Sequence, residues 1–435
     1  MFMSSIKNHI NCRNYINVLL SLIPICFILG NLAINLNVLL VIISSLFFFR
    51  FKIFKLKFFF FDKLLIFLSC YILFVALVNG VNYSEVGESY WLNKIMLKSL
   101  FFLRYILFYF VIRFLIDQKI FNFKYFLFSA SLCAIFVSLD LILQFSYGKD
   151  VFGYPKSDYK LSGPFGDELI AGAYLQRFSI FIFFLISFFY KPQNKKLKIF
   201  VIFSFFIIIF FSIIITGNRM PIILFILLFG LLFLIEKKLR SYFVILIPMI
   251  CLVFLISYNL MPRIQDFTIS FFSRINEFYI FLIDVAFHGN EPKMTNRYLN
   301  EFYSGYSTWK LNPVIGGGID SFYFNCSKIV PFCNSHPHNY YLEILSELGI
   351  IGFVLILLIL IKLFQIIYMK KIYLIDSSLN RLITPFLLLL LVEIFPFKST
   401  GSFFTTTNTT FIFFLLAVII GLSRLNTIDL NIKNK

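Results

Sequence analysis

Acidic residues and histidines are scarce in this chain, and internal repeats are absent. The 435 residues include only 21 Asp+Glu and 4 His, and 14% of all residues are charged. Hydrophobic residues make up 60% of the chain, whereas soluble domains average about 45–50%. This composition excludes an ordinary soluble domain. The first apolar run, residues 15–29, also lacks a small-residue cleavage site, which predicts a retained membrane span.

Apolar runs of about 20 residues recur along the chain, and each is long enough to cross a hydrocarbon core of about 30 Å. With a mean hydropathy of +0.89, the chain is predicted to be an all-α polytopic membrane protein. We divide it into an N-terminal bundle (1–260), a large external loop (261–348) and a C-terminal group of helices (349–435). The roughly twelve transmembrane helices that we predict lie near residues 15–30, 31–49, 64–80, 99–116, 125–147, 169–190, 199–215, 221–235, 242–260, 349–368, 382–397 and 405–421.

The net charge of +18 could reflect nucleic-acid binding or membrane topology. Lys and Arg cluster in short loops such as 50–57 and 191–198, and these loops lie on one side of the predicted bundle. Short basic loops mark the cytoplasmic side of a membrane protein. We therefore predict cytoplasmic termini, an external segment 261–348 and no nucleic-acid partner.

The external segment 261–348 is far longer than the other predicted connections, and long ordered loops are usually functional. Its sequence predicts a helix on the membrane surface over 263–284 and a second helix over 296–309. A glycine turn follows at 316–318. The segment is therefore the first place to look for a site.

Two cysteines, Cys326 and Cys333, lie near the end of this segment. An oxidising external compartment favours a disulfide between them. The alternative is a zinc site that these cysteines form with His336 and His338. The spacing of the four residues matches no common zinc site, so we predict a disulfide and no metal.

Two of the four histidines, His336 and His338, are separated by a single residue. They are either solvated loop side chains or a general base, because an ordinary imidazole accepts protons at neutral pH. Pro337 disfavours helix at His336, and Asn339 is a favourable N-cap for a helix over 340–348. Free N–H groups at the start of that helix would bind an anion beside the histidines.

Two arginines of the external side are candidate ligands for an anionic substrate. Arg219 follows a glycine turn between two strongly apolar runs. It either snorkels to the membrane interface or clamps a phosphate through bidentate hydrogen bonds. Arg297 draws attention because it shares the external segment with the histidines.

Four charged residues fall inside predicted spans, where an unpaired charge is costly. One explanation is that they pair with one another inside the bundle. The other is that Arg104 or Arg177 faces a substrate cavity. The four residues are Arg104, Asp140, Arg177 and Glu393.

Three sequence elements occur here in an order that is typical of one family. An arginine follows a glycine turn between two spans, a large external loop contains an arginine and a Pro-x-x-Gly-x-Gly turn, and a His-x-His-Asn motif enters a membrane helix. These elements resemble the O-antigen ligase and O-antigen polymerase superfamily of bacterial envelope glycan enzymes. The matching positions are Gly217–Arg219, Arg297, Pro313–Gly318 and His336–Gly352 with Glu347 and Gly349, and more weakly Ser162–Glu168.

The resemblance implies an inner-membrane glycosyltransferase that moves a glycan from an undecaprenyl diphosphate carrier to an acceptor hydroxyl on the periplasmic face. It implies a reaction without a metal or other cofactor. By the same resemblance His338 is the base and His336 is the reserve candidate. The diphosphate ligands are Arg219 and Arg297, with Arg104 and Arg177 as further candidates.

Several functions remain open at this stage. A ligase would use lipid A-core as the acceptor, a polymerase would use the growing lipid-linked glycan, and a related oligosaccharyltransferase would use protein. A polysaccharide transporter or flippase is the alternative from another class. A transporter should show paired halves, whereas here the polar residues concentrate in one external loop.

Overall fold

A computed structural model describes most of the chain, and the regular elements in the described part are helices. An isolated bridge between Lys149 and Pro155 is the exception within that part. The described residues are 2–85, 89–157, 160–186, 194–235, 297–331, 333–372, 378–399 and 401–433, with short helical stretches between 247 and 280.

The helices used below follow the chain order, and short 3-10 turns cover Arg50–Lys55 and Gly163–Phe165. The α-helices are α1 (Phe2–Ser21), α2 (Ile23–Leu29), α3 (Asn31–Phe49), α4 (Phe60–Glu85), α5 (Ser89–Asp117), α6 (Phe123–Tyr147), α7 (Ala171–Phe178), α8 (Ile180–Leu185), α9 (Lys195–Ile215), α10 (Arg219–Ile235), α11 (Arg297–Leu311), α12 (Phe322–Cys326), α13 (Tyr340–Met369), α14 (Ser378–Glu393) and α15 (Thr406–Lys433).

Seven helices of the described part are long and apolar enough to cross a membrane. An eighth span results if Cys12–Ser21 and Ile23–Leu29, which meet at 41°, are taken together. Two shorter apolar helices cover Ala171–Leu185 and Arg219–Ile235. This architecture confirms the predicted all-α polytopic membrane fold.

The predicted count of twelve spans stays a prediction. The ninth predicted span, 242–260, and the predicted surface helix, 263–284, lie largely outside the described residues. The division of the chain at residues 260 and 348 is likewise still a prediction.

Aromatic side chains fill the centre of the bundle. Phe126 of α6, Phe386 of α14 and Phe414 of α15 contact one another, with ring centroids 5.1–6.1 Å apart. Lipid is as apolar as these rings, so tight packing rather than the hydrophobic effect joins such helices. Helix α15 lies deepest, because 89% of its apolar window is buried, against 28% for α13.

Helix α13 is broken at Gly349, and the loop that follows α11 fits into the break. Gly349 has φ 65° and ψ −171°, a conformation that glycine adopts easily. The N–H of Gly318 donates to the carbonyl of Glu347 (2.8 Å), and the N–H of Ile350 donates to that of Pro313 (2.9 Å). The loop therefore pairs backbone groups that the break would leave without partners, and it fixes α11 against α13.

Candidate active site

His336 and His338 lie on the turn that leads into α13, and we call residues His336–Asn339 the histidine turn. The Asn339 side chain accepts hydrogen bonds from the N–H groups of Tyr341 (3.0 Å) and Leu342 (3.2 Å), which confirms the predicted N-cap. His338 has φ 51°, a left-handed conformation that is uncommon outside glycine. The ring centroids of His336 and His338 lie 4.2 Å apart. The turn therefore holds both imidazoles together at the start of a helix.

Helix α11 packs closely against this turn at Gly305. A Cβ at Gly305 would lie 3.0 Å from the Cβ atoms of Pro337 and Leu342, so only glycine allows this approach without a shift. One helical turn earlier, Glu301 is buried, and its Oε1 lies 3.6 Å from Nε2 of His338. The close approach of α11 thus sets the distance between the carboxylate and the imidazole.

Glu301 is a site residue that sequence reasoning missed. Asn334 donates from Nδ2 to Glu301 Oε1 at 3.0 Å. Arg297, a predicted diphosphate ligand, begins α11 one turn before Glu301, although its side chain lies outside the described atoms. Residues four apart in a helix are neighbours, so the spacing from Arg297 to Glu301 was the signal available in the sequence.

Arg177 of α7 lies in a buried polar cluster that reaches the start of α13. Its Nη2 and Nε donate to the Glu393 carboxylate at 2.6 and 3.2 Å, and Nη2 also donates to Asn408 Oδ1 at 2.6 Å. The hydroxyl of Tyr340, the first residue of α13, donates to Glu393 at 2.9 Å. Lys398 Nζ lies 2.5 Å from the same carboxylate. We call these five side chains the histidine-end cluster.

Two cations share one carboxylate in the histidine-end cluster. Arg177, Lys398 and Glu393 are all buried, and the ion pairs of Arg177 and Lys398 both end on Glu393. Burial lowers the pKa of Lys398 to about 8, and the charge of Glu393 opposes this shift. With Lys398 protonated, these three side chains carry one net positive charge, which attracts an anion more strongly in a protein than in water.

Arg104 of α5 reaches the first turn of α15. Its Nη2 donates to Thr406 Oγ1 at 3.3 Å and to the Tyr105 hydroxyl at 2.6 Å. Asn408, which Arg177 contacts, belongs to the same turn. Arg104 and Arg177 therefore both contact the first turn of α15, through Thr406 and Asn408 respectively.

Arg219 begins α10 and is half-buried. The preceding residue, Asn218, donates from Nδ2 to the carbonyl of Leu169 at 2.9 Å. This bond holds the turn against the residues just before α7, the helix that carries Arg177. Arg219 and Arg177 therefore belong to adjoining elements.

Residues 203–357 match the sequence model of the family described as O-antigen ligase. This match supports the O-antigen ligase superfamily for this part of the chain. The match runs from α9 into α13 and includes Arg219, Arg297, Glu301 and the histidine turn. No curated protein matches the chain.

The cysteines of the O-antigen ligase region are paired with each other. The structure joins the sulfur atoms of Cys326 and Cys333, whose Cα atoms lie 6.0 Å apart. Disulfides span Cα distances of about 4.4–6.8 Å. Formation of this disulfide in the cell stays a prediction, which mass spectrometry of the unreduced protein would test. Within the described residues, no group of three His, Cys, Asp or Glu side chains is placed to hold a metal ion.

Proposed function

We propose that this protein is a metal-independent glycosyltransferase that moves a glycan from an undecaprenyl diphosphate carrier to an acceptor hydroxyl. The observation that carries the proposal is the histidine turn, which places His338 at a helix start 3.6 Å from Glu301 inside the O-antigen ligase region. We favour a ligase with lipid A-core as acceptor. The reaction would take place on the periplasmic face of the bacterial inner membrane, with both termini in the cytoplasm.

In the proposed mechanism, His338 acts as the general base. The acceptor O–H proton moves to the imidazole while the acceptor oxygen attacks the anomeric carbon of the glycan. The bond from that carbon to the diphosphate oxygen breaks, and undecaprenyl diphosphate leaves with the electron pair. General base catalysis typically contributes roughly 100- to 10,000-fold. His336, whose ring centroid lies 4.2 Å away, is the reserve base.

Arginines would stabilise the departing diphosphate. A cation 4 Å from a phosphate oxygen contributes about 4 kcal/mol at an effective dielectric constant of 20. The shared contact of Arg104 and Arg177 with the first turn of α15 supports a cationic site near the histidine turn. The full set of candidate ligands is Arg104, Arg177, Arg219 and Arg297.

A gene deletion followed by gel analysis of envelope polysaccharide tests the proposal. Wild-type protein should restore the polymer, whereas His338→Ala should reduce it by at least about 100-fold, because the base is lost. Equal protein levels in the membrane fraction serve as the control. Polymer at the wild-type level in His338→Ala would reject the base assignment.

The same gel separates the ligase from the polymerase. Loss of all polymer from lipid A-core in the deletion strain supports a ligase. A core that carries a single repeat unit supports the polymerase instead.

A further inference from the structure

We propose that Glu301 is a positioning residue that orients His338 and stabilises the imidazolium formed during glycan transfer. This inference rests on the proposed function, because it assumes that His338 takes the acceptor proton. Glu301 has no role in the sequence-based predictions, and it comes to the site only through the packing of α11 against the histidine turn.

One nitrogen of His338 faces a carboxylate that is more buried than the imidazole. Nε2 faces Glu301 Oε1 at 3.6 Å, whereas the His338 side chain as a whole is 29% exposed, against 9% for that of Glu301. The carboxylate is thus on the buried side of the ring. A ring that directs Nε2–H toward the carboxylate presents Nδ1 as the proton acceptor.

Proton transfer then proceeds with a defined balance. The acceptor O–H bond breaks and its proton forms a bond to Nδ1, which gives an imidazolium with N–H groups on both nitrogens. Glu301 attracts this cation more strongly than the neutral ring, so it lowers the energy of the state that follows proton transfer. A buried carboxylate beside a catalytic histidine acts in this way in serine hydrolases. The proton finally leaves to water.

The alternative is that Glu301 serves only as a hydrogen-bond acceptor for Asn334, which donates to the same Oε1 at 3.0 Å. Glu301→Gln separates these roles. A glutamine oxygen can still accept the Asn334 hydrogen bond, and the side chain keeps its size, but the charge is gone. Glu301→Asp keeps the charge and shortens the side chain by one methylene.

The test measures transfer in membranes, with radiolabelled lipid-linked glycan extracted from the deletion strain as the donor. Glu301→Gln should lower turnover at saturating donor by about 10- to 100-fold, with an unchanged apparent KM. Glu301→Asp should retain more turnover than Glu301→Gln. The matched control is Glu277→Gln, an exposed carboxylate-to-amide change, which should behave as wild type. Wild-type turnover in Glu301→Gln, or more turnover with Gln than with Asp, would overturn the inference.

A second measurement does not depend on transfer. Diethyl pyrocarbonate modifies imidazole nitrogens, and mass spectrometry of the peptide locates the modified histidine. Because the carboxylate shields Nε2, His338 should react at least about threefold faster in Glu301→Gln than in Glu277→Gln. An equal rate means that the pair does not exist, whatever the activity. The two measurements can also disagree. If His338 reacts faster in Glu301→Gln but the wild-type protein transfers no glycan, the Glu301–His338 pair is supported and the proposed function is rejected.

Discussion

Two buried polar clusters of this protein differ in their balance of charge. The histidine-end cluster contains Arg177 and Lys398, and the two cations share one carboxylate. The other, which we call the opposite-end cluster, consists of Asp62, Tyr109 and Arg113. Asp62 pairs with Arg113 and accepts a hydrogen bond from the Tyr109 hydroxyl at 2.8 Å, and neither charged side chain is exposed. The opposite-end cluster therefore pairs one cation with one anion.

The two clusters are also far apart. Asp62 lies in the first turn of α4, and Asn79, 17 residues later, donates to the Gly316 carbonyl at 3.0 Å. At 1.5 Å per residue, this separation is about 26 Å along the helix. The balanced cluster is thus remote from the loop that holds α11 and α13, whereas the unbalanced one includes the first residue of α13. We infer that the opposite-end cluster serves the fold and that the histidine-end cluster serves both fold and chemistry.

The largest effect on stability should come from Arg113→Met, which leaves the Asp62 carboxylate buried without its cation. Removal of one partner of a buried ion pair typically costs about 3–5 kcal/mol. We expect a lower melting temperature in detergent and less folded protein after extraction. The double variant of Asp62→Asn with Arg113→Met should recover most of this loss, because no unpaired charge remains. Unchanged melting in Arg113→Met would contradict the role assigned to the opposite-end cluster.

The second effect distinguishes the clusters by activity. Arg177→Lys keeps the charge, but an ammonium cannot reproduce the fork of hydrogen bonds to Glu393 and Asn408. Arg113→Lys is the matched variant in the opposite-end cluster. Each should lose about 1.5–3 kcal/mol of stability.

Only Arg177→Lys should also lose glycan transfer, by at least about tenfold, because a small displacement near reacting groups is costly. Melting curves and envelope-polysaccharide gels measure the two quantities separately. Equal transfer in the two lysine variants would remove the functional distinction between the clusters.

The sequence predicts the helices well because each span depends on a local property, the length of an apolar run. It predicts the form of α13 less well. The predicted helix over 340–348 and the predicted apolar span from residue 349 are one helix, Tyr340–Met369, which is broken at Gly349. The break is stable because Gly318 donates a hydrogen bond to the carbonyl of Glu347 and Pro313 accepts one from the N–H of Ile350. Such tertiary hydrogen bonds have no local sequence signal.

Pairing among the intramembrane charges was predicted only in part. Arg177 pairs with Glu393, as one of the two explanations required. Asp140 instead accepts a hydrogen bond from the N–H of Val151 at 2.8 Å. The partner of Asp140 is thus a backbone group in the loop after α6 and not an arginine. Whether a buried carboxylate pairs with a backbone N–H or with a cation depends on how the helices are placed relative to one another, which the sequence does not show locally. Lys398 was missed because a lysine after an apolar span ordinarily snorkels to the interface.

The smallest effect should come from Lys398→Met, and it should depend on pH. Burial lowers the pKa of Lys398 from its ordinary value of 10.5 to about 8, so between these values the unfolded chain binds more protons than the folded protein. The stability of the wild type should therefore rise with pH in this window, by at most about 3 kcal/mol. Melting temperatures at pH 7 to 10.5 measure this rise relative to Lys398→Met, with the exposed Lys371→Met as control. A difference that stays constant with pH would mean that Lys398 remains charged throughout and that the extra cation of the histidine-end cluster is permanent.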